Sequence, residues 1–141
     1  MIAAIRIASS DENLVAALLA ADLPIDDLED SGRWFFRVES AGRTIGFGGF
    51  ELYGEDGLLR SVVVSAVDRG QGHGRLVVET MLREIEHAGG RRVYLLTTSA
   101  TAFFLHLGFT RIARAAAPPS ILATRQASTI CASAELMTRA I

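Results

Sequence analysis

The alternation of apolar and polar positions divides the chain into short strands separated by turns and helices. Strands are predicted where apolar, aromatic or β-branched residues alternate with polar ones, or where they form a short run bounded by turn residues. By these criteria we expect strands at Ile2–Ala8, Trp34–Glu39, Thr44–Tyr53, Leu58–Ser65, Val93–Thr98, Phe109–Arg114 and Ala134–Ile141.

Helices are predicted in the intervals between these strands. Ser9 and Glu12 form a capping-box pattern, which predicts a helix from there to about Asp22. The acidic segment that follows contains a proline and favours a loop or a short helix. Apolar residues at helical spacing and a following glycine predict further helices at His73–Ala88 and Thr101–Leu107, and one or two helical turns are expected at Pro118–Arg125.

The order of these elements predicts a mixed, mostly antiparallel sheet. Turn residues at 40–43 and 54–57 join three strands as hairpins before the long helix, and a crossover follows it. At 141 residues the chain is large enough to bury a core, and we expect a single domain over 1–141. The fold class is therefore α+β (α/β).

The composition excludes several classes of function. A net charge of −2 gives no basic footprint for nucleic acid, and no apolar run approaches the length of a membrane span. The single cysteine, Cys131, cannot form an internal disulfide, and we expect a cytoplasmic protein. The three histidines, His73, His87 and His106, lack the spacing of metal ligands, so no metal is expected.

The sequence RGQGHG at 69–74, between a strand and a helix, predicts an anion site. Glycines at such a turn expose backbone N–H groups at the positive end of a helix, although they can also simply make a tight turn. All fourteen basic residues are arginine, which excludes the lysine-containing loop of nucleoside triphosphate sites. A dinucleotide site would need G-x-G-x-x-G and an acidic residue after the next strand, which ends in Thr97-Thr98. A third ligand class is the pyrophosphate of coenzyme A.

Two motifs resemble the GNAT superfamily of N-acetyltransferases. Arg69, Gly72 and Gly74 form R-x-x-G-x-G, and AFFLHLGF at 102–109 is similar to that superfamily's A-x-x-F-Y-x-x-L-G-F segment. The resemblance covers the whole chain. It implies the GNAT fold, with a sheet of six to seven strands, about four helices and parallel strands splayed at the cofactor site. It also implies an enzyme with acetyl-CoA as cosubstrate, and a homodimer through the last strands.

The same resemblance implies how acetyl-CoA is bound. Backbone amides of the glycine loop would surround the pyrophosphate, and the central strand would pair with the pantetheine arm. The backbone N–H of Val62 or Val63 would act as the oxyanion donor. The implied cofactor-binding residues are Val62, Val63, Val64, Arg69, Gly70, Gln71, Gly72, His73, Gly74, Arg75, Thr97, Phe103 and Phe104.

The catalytic acid of many relatives is missing. Phe104 stands where they have the tyrosine that protonates the leaving thiolate, and it has no proton to give. Thr97, Thr98 or Ser99 would donate directly or through a water, or the solvent would protonate the thiolate.

The catalytic base and the acceptor site are less well defined by the sequence. Glu51 is our candidate for the base, acting through a water; the alternative is an exposed carboxylate beside the turn at 54–57. Asp22, Asp26 and Asp27 lie in the segment that covers the acceptor pocket in the GNAT fold. They would hold a cationic substrate, or they form a solvated loop.

Several further stretches resemble the bacterial arsenic-resistance-associated acetyltransferases: LPIDDL, GLLRSVVV, RGQGHGR, YLLTT, AFFLHLGF and STICASAELM. This resemblance implies a small, toxic, amino-acid-like amine as the acceptor. The leading hypothesis is an acetyl-CoA-dependent N-acetyltransferase for a small primary amine. The alternative is a catalytically degenerate acyl-CoA-binding or sensor module, since the usual tyrosine and base are absent.

Overall fold

A seven-stranded sheet with α-helices on both faces forms the structure, a computed structural model that describes residues 1–64, 72–130 and 133–141. The strands are β1 (Ile2–Ile7), β2 (Arg33–Ser40), β3 (Arg43–Tyr53), β4 (Asp56–Val64), β5 (Arg92–Thr97), β6 (Thr110–Arg111) and β7 (Glu135–Ala140). The α-helices in the described ranges are α1 (Glu12–Ala20), α2 (His73–His87), α3 (Thr101–His106) and α4 (Pro119–Leu122). A 3-10 turn at Arg114–Ala116 and a π-helical turn at Gln126–Ile130 complete the elements.

The sheet is mixed, as the sequence predicts. Its strand order is β1-β2-β3-β4-β5-β7-β6, and every neighbouring pair is antiparallel except β4 and β5. The parallel pair follows from the chain order, because α2 carries the chain from the end of β4 back to the start of β5. This arrangement confirms the expected α+β fold class with a mixed, mostly antiparallel sheet.

The two longest helices cover opposite faces of the sheet. Helix α2 buries Val77, Met81 and Ile85 in the main core, and it can approach β3 closely because Gly48 has no side chain. A Cβ at Gly48 would lie 2.6 Å from the Cγ of Met81. Helix α1 buries its apolar residues in a second cluster, against strands β2, β3 and β4. The buried members of this cluster are Leu14, Leu18, Leu28, Phe35, Phe47 and Val63.

The start of α1 differs from the prediction. Asp11, not Ser9, is the N-cap residue, and its Oδ1 accepts hydrogen bonds from the backbone N–H groups of Asn13 and Leu14, each at 3.0 Å. An N-cap carboxylate satisfies amides that have no partner within the helix, so it defines the first turn. The helix ends at Ala20 rather than Asp22, and the segment at 24–31 forms turns without a helix.

Of the elements after α3, the first strand is shorter than predicted. Strand β6 contains only Thr110 and Arg111, because the chain leaves the sheet for the 3-10 turn that begins at Arg114. The one or two helical turns predicted at Pro118–Arg125 are present as one α-helical turn, α4, followed by the separate π-helical turn. None of the helices in the described ranges combines the length and apolar character needed to cross a bilayer.

Candidate active site

A cleft opens where the two parallel strands separate. In the described residues, β4 and β5 pair through three positions, Asp56 with Arg92, Gly57 with Val93 and Leu58 with Tyr94. Beyond Leu58 the strands diverge, and Leu59–Val64 and Leu95–Thr97 line a cavity of about 1070 Å³. The backbone of the second half of β4 is therefore free of a strand partner on its β5 side.

A β-bulge interrupts β4 at the wall of this cleft. Gly49 pairs with Arg60 and Phe47 with Val63, so the single intervening residue on β3 faces two residues on β4, Ser61 and Val62. Ser61 has a φ of 57°, in the left-handed region that side-chain-bearing residues rarely adopt. A bulge leaves its extra residue out of the hydrogen-bonded ladder. Backbone groups at the bulge are therefore available to a ligand in the cleft.

The start of α2 forms one end of the cleft. Gly72 is the N-cap with a φ of 77°, and Gly74 packs so closely that a Cβ there would lie 3.2 Å from the Cζ of Phe103. Gly72, Gly74 and Arg75 all line the cavity, and the exposed Arg75 pairs with Glu79 at 2.8 Å. The other predicted residues of the loop, Arg69, Gly70 and Gln71, lie outside the described residues.

Helix α3 supplies an aromatic wall. Phe103 is 37% exposed and lines the cavity. Phe104 also lines the cavity but is largely buried, with its ring edge-on to Phe103 at 5.0 Å and to Phe109 at 5.6 Å between centroids. These ring contacts are hydrophobic. The phenylalanine side chains therefore shape the cavity but contain no group that can donate a proton.

The predicted hydroxyl donors lie at the mouth of the cleft. Thr97, Thr98 and Ser99 all line the cavity. The Oγ1 of Thr97 accepts a hydrogen bond from the backbone N–H of Ala100 at 3.0 Å, which fixes its orientation and leaves its own proton free to donate. Thr98 and Ser99 are exposed. The structure thus brings Val62, Val63, Val64, Gly72, Gly74, Arg75, Thr97, Ser99, Phe103 and Phe104 around one cavity; His73, between the two glycines, is not among the residues that line it.

Glu51 occupies a different position from the one expected for a base or for an exposed carboxylate. It is fully buried and does not line the cavity. Its Oε2 pairs with the Nη1 of Arg60 at 2.8 Å and lies 3.7 Å from the Nε of Arg33, and its Oε1 accepts a hydrogen bond from the hydroxyl of Tyr53. A carboxylate held in this way is a structural anion, because each of its oxygens is already hydrogen-bonded and the group is buried.

The acidic segment at 22–30 divides into residues with different roles. Asp22 is exposed and lines the cavity, whereas Asp26 is exposed and does not. Asp27 is fully buried and accepts hydrogen bonds from the Nη1 of Arg60 at 2.6 Å and from its Nη2 at 2.5 Å. The interpretation of the whole segment as a solvated loop is therefore wrong for Asp27.

Arg60 is the functional-site residue that sequence reasoning missed. It lies in β4 directly before the bulge, its side chain is fully buried, and it lines the cavity. The signal in the sequence is a single arginine inside the apolar run LLRSVVVS. A buried arginine needs carboxylate partners, because an unpaired buried charge is strongly unfavourable.

The ionisation of this cluster follows from its contacts. Burial alone would raise the pKa of Asp27, but the hydrogen bonds and charges of Arg60 and then Arg33 outweigh it and lower that pKa. Burial would lower the pKa of Arg60, yet its bonds to Asp27 and Glu51 raise it. Burial, followed by the hydrogen bond to Glu51, raises the pKa of Tyr53 to about 12. The Asp27–Arg60 pair is therefore charged at neutral pH, and Tyr53 is protonated.

Within residues 1–64, 72–130 and 133–141 there is no group of three or more His, Cys, Asp or Glu side chains that could hold a metal. The predicted residue Cys131 lies outside the described residues.

Comparisons with known proteins agree with this geometry. The model of the acetyltransferase (GNAT) family matches residues 5–109. No protein with a curated description matches the sequence. The fold is similar to that of a GNAT-family acetyltransferase from Staphylococcus aureus Mu50, at 21% identity and a TM-score of 0.76 over 99% of both chains.

Two further solved structures contain coenzyme A. N-acetylglutamate synthase from Neisseria gonorrhoeae, complexed with coenzyme A and N-acetyl-glutamate, is 14% identical with a TM-score of 0.78, over 99% of this chain and 35% of that one. Rv2747 from Mycobacterium tuberculosis, in complex with CoA and NLQ, is 18% identical with a TM-score of 0.69, over 100% of this chain and 99% of that one. The chain thus spans about a third of the length of the synthase. At these identities the likeness concerns the fold.

Proposed function

We propose that this chain, which belongs to the acetyltransferase (GNAT) family, is an acetyl-CoA-dependent N-acetyltransferase acting on a small-molecule primary amine. The observation that carries the proposal is the separation of β4 from β5 beside the bulge at Ser61 and Val62. This separation gives a thioester access to unpaired backbone groups from one side and leaves room for an acceptor on the other.

The residues around the cleft fit acetyl-CoA as a substrate. Gly72 and Gly74 begin the 15-residue helix α2, whose N-terminal amides and positive dipole favour a phosphate. Arg75 adds a positive charge at the same end of the cavity. The free edge of β4 at Val62–Val64 can receive the amide groups of a pantetheine arm in the manner of an added strand.

The chemistry requires one bond to form and one to break. The neutral amine attacks the thioester carbonyl, the N–C bond forms and the C–S bond breaks. The backbone N–H of Val62 or Val63 stabilises the oxyanion. Thr97 or Ser99 donates a proton to the thiolate, directly or through a water. The amine's proton leaves through water in the cleft, since Glu51 is committed to Arg60 and lies outside the cavity wall.

The charges lining the cavity favour a cationic acceptor. Among the described residues that line it, Asp22 is the only acidic one. The positive charge of Arg60 is offset by Asp27 and Glu51. The Asp22 carboxylate therefore gives the acceptor side a net negative charge, which attracts an amine in its protonated resting form.

The experiment that tests the proposal is acetyl-CoA turnover with a panel of small amines. The panel contains amino acids, simple polyamines and amino-acid-like toxic amines, and free-thiol release is measured beside mass spectrometry of the product. We expect acceptor-dependent thiol release and an N-acetylated product. Asp22→Asn should raise KM about threefold for cationic amines and leave KM for neutral amines unchanged, as expected for losing one exposed, screened ion pair.

The second candidate function is a catalytically degenerate acyl-CoA-binding module. Phe104 favours it, because the side chain at the cavity wall carries no hydroxyl. Coenzyme A binding by calorimetry without acceptor-dependent thiol release would support this module and contradict the enzyme.

The homodimer and the role in arsenic or xenobiotic resistance stay predictions. Strand β7 is flanked by β5 and β6, so a dimer formed by sheet extension would use the short edge at β6. Light scattering of the purified protein tests the dimer.

A further inference from the structure

We propose that Arg60 is a positioning residue that fixes the bulge of β4 and, with it, the backbone N–H groups that receive the thioester carbonyl. This inference rests on the proposed acetyl transfer and identifies which side chain maintains the geometry of its oxyanion donor. It concerns a residue whose side chain is fully buried and whose partners come from two separate parts of the chain.

The guanidinium of Arg60 is held by directional contacts. Its Nη1 lies 2.6 Å from Asp27 Oδ2 and 2.8 Å from Glu51 Oε2, and its Nη2 lies 2.5 Å from Asp27 Oδ1. Its Nε lies 3.3 Å from the Oγ of Ser61. Because the guanidinium is planar and rigid, a bidentate pair fixes orientation as well as distance.

These contacts act on the backbone at the point where it departs from the regular strand. Arg60 pairs with Gly49, and this is the last regular pair before the bulge. The next residue, Ser61, has a φ of 57°. A backbone conformation in such a sparsely populated φ/ψ region persists only where several contacts from the surrounding structure enforce it. Arg60 supplies that constraint, because it is tied both to β3 through Glu51 and to the segment before β2 through Asp27.

The same contacts connect the two sides of the cleft. Asp27 follows Leu23 and Pro24, which line the same cavity as the bulge residues Ser61 and Val62. The bonds from Arg60 to Asp27 therefore tie the segment that contains Leu23 and Pro24 to β4. Arg60 itself is not suited to bind a substrate carboxylate, since Asp27 and Glu51 already occupy its charged face.

The test compares Arg60→Met with Arg33→Met. Arg33 pairs with the same two carboxylates, at 3.2 Å from Asp27 and 3.7 Å from Glu51, but it lies in β2 and does not line the cavity. Both variants remove one cation from the same cluster. We expect Arg60→Met to lower kcat at least about tenfold with a small change in KM for acetyl-CoA, as misplacement of reacting groups does. Arg33→Met should change kcat less than about twofold, because it leaves the reacting groups in place.

A double variant separates the effect of Arg60 on kcat from its effect on folding stability. Arg60→Met combined with Asp27→Leu replaces the buried pair with apolar groups and leaves Arg33 with Glu51. Such replacements are often neutral or stabilising. We expect the double variant to fold and to keep the low kcat. Recovery of wild-type kcat in the double variant, or equal losses of kcat in Arg60→Met and Arg33→Met, would overturn the proposal.

Amide hydrogen exchange at the ladder pairs that flank the bulge, Gly49 with Arg60 and Phe47 with Val63, tests the positioning role without catalysis. Exchange at these amides should accelerate in the double variant and remain at the wild-type rate in Arg33→Met. Unchanged exchange in the double variant would contradict the role of Arg60. Absence of acceptor-dependent thiol release in the wild type would instead contradict the proposed function, and the exchange experiment would still decide the role of Arg60.

Discussion

The two walls of the cleft are built by different kinds of interaction. On the β4 wall, a charged network joins residues that are far apart in sequence, with Arg60 bonded to Asp27 at a separation of 33 positions. On the α3 wall, Phe103, Phe104 and Phe109 pack against one another within a single short segment. Directional contacts can impose an unfavourable backbone conformation, whereas ring packing determines shape. In the proposed reaction the β4 wall would therefore position the reacting groups, and the α3 wall would set the fit of the cosubstrate.

The largest expected effect is on stability, when the network of the β4 wall loses its central cation. Arg60→Met leaves the buried carboxylates of Asp27 and Glu51 with Arg33 as their remaining arginine partner. Breaking a buried pair by removing one partner costs about 3–5 kcal/mol of unfolding free energy. Urea denaturation followed by circular dichroism measures this loss.

The Asp27→Leu/Arg60→Met variant is the control for that loss. It should recover most of the unfolding free energy, because it removes a carboxylate together with the cation. If the double variant is as unstable as the single one, the loss comes from packing around Arg60 rather than from an unpaired charge.

The next effect separates charge from backbone strain at the start of α2. Gly72→Asp adds a negative charge where the phosphate groups would bind, and nothing lies within 4 Å of the position of its Cβ. We expect the Kd for coenzyme A to rise about a hundredfold, which corresponds to about 2.7 kcal/mol. Isothermal titration calorimetry measures it.

Gly54→Asp is the matched control for Gly72→Asp. Gly54 has a φ of 64°, close to the 77° of Gly72, and its Cβ position is equally open, but it lies in the turn between β3 and β4. Both variants should lose a similar amount of stability, about 1 kcal/mol for a left-handed residue with a side chain. Weakened binding in Gly54→Asp would mean that strain, and not repulsion, explains the Gly72 result.

The two walls also differ in how far the sequence predicts them. The α3 wall and the glycines before α2 are encoded locally, in AFFLHLGF and RGQGHG, so their positions follow from spacing. The fold class follows from the same local periodicity, and the strand bounds agree within a few residues, apart from β6.

The β4 wall depends on contacts that no local pattern contains. Asp27 resembles its exposed neighbours Asp26 and Asp30 in sequence, yet Asp27 alone is buried with Arg60. Glu51 follows a strand pattern that indicates neither burial nor a partner. The bulge at Ser61 is equally hidden, because a one-residue change of register leaves the apolar run intact.

A smaller effect is expected from the hydroxyl at the junction of the two walls. Thr97→Val removes an oxygen that accepts the Ala100 N–H, at a cost of about 1 kcal/mol. If Thr97 is the proton donor, kcat falls about tenfold as well, less than the usual loss for a general acid, because solvent can also protonate the thiolate. Stopped-time thiol-release assays measure the change.

Thr80→Val is the control for Thr97→Val. The Oγ1 of Thr80 donates to the backbone oxygen of Leu76 at 2.6 Å, and Thr80 does not line the cavity. It should lose comparable stability without loss of kcat. Equal kcat values for the two variants would assign the proton to Ser99, Thr98 or solvent.

The smallest effect is a dependence of stability on alkaline pH at the outer edge of the charged network. Tyr53 donates its hydroxyl to Glu51, and burial together with this hydrogen bond raises its pKa to about 12, above the ordinary tyrosine value of about 10. Between these two values the unfolded state loses the phenolic proton and the folded state keeps it, so stability present below pH 10 is lost as pH rises toward 12. Tyr53 is partly exposed, and solvent screening reduces the loss to about 1 kcal/mol.

Tyr53→Phe should remove this part of the decline of the unfolding free energy with pH, measured by urea denaturation at pH 9 to about 12. The pKa of Tyr94 is also raised, first by burial, and its contribution cancels in the difference between wild type and variant. If the unfolding free energies of the wild type and Tyr53→Phe decline equally with pH, the Tyr53 hydroxyl contributes nothing to holding Glu51 beside Arg60.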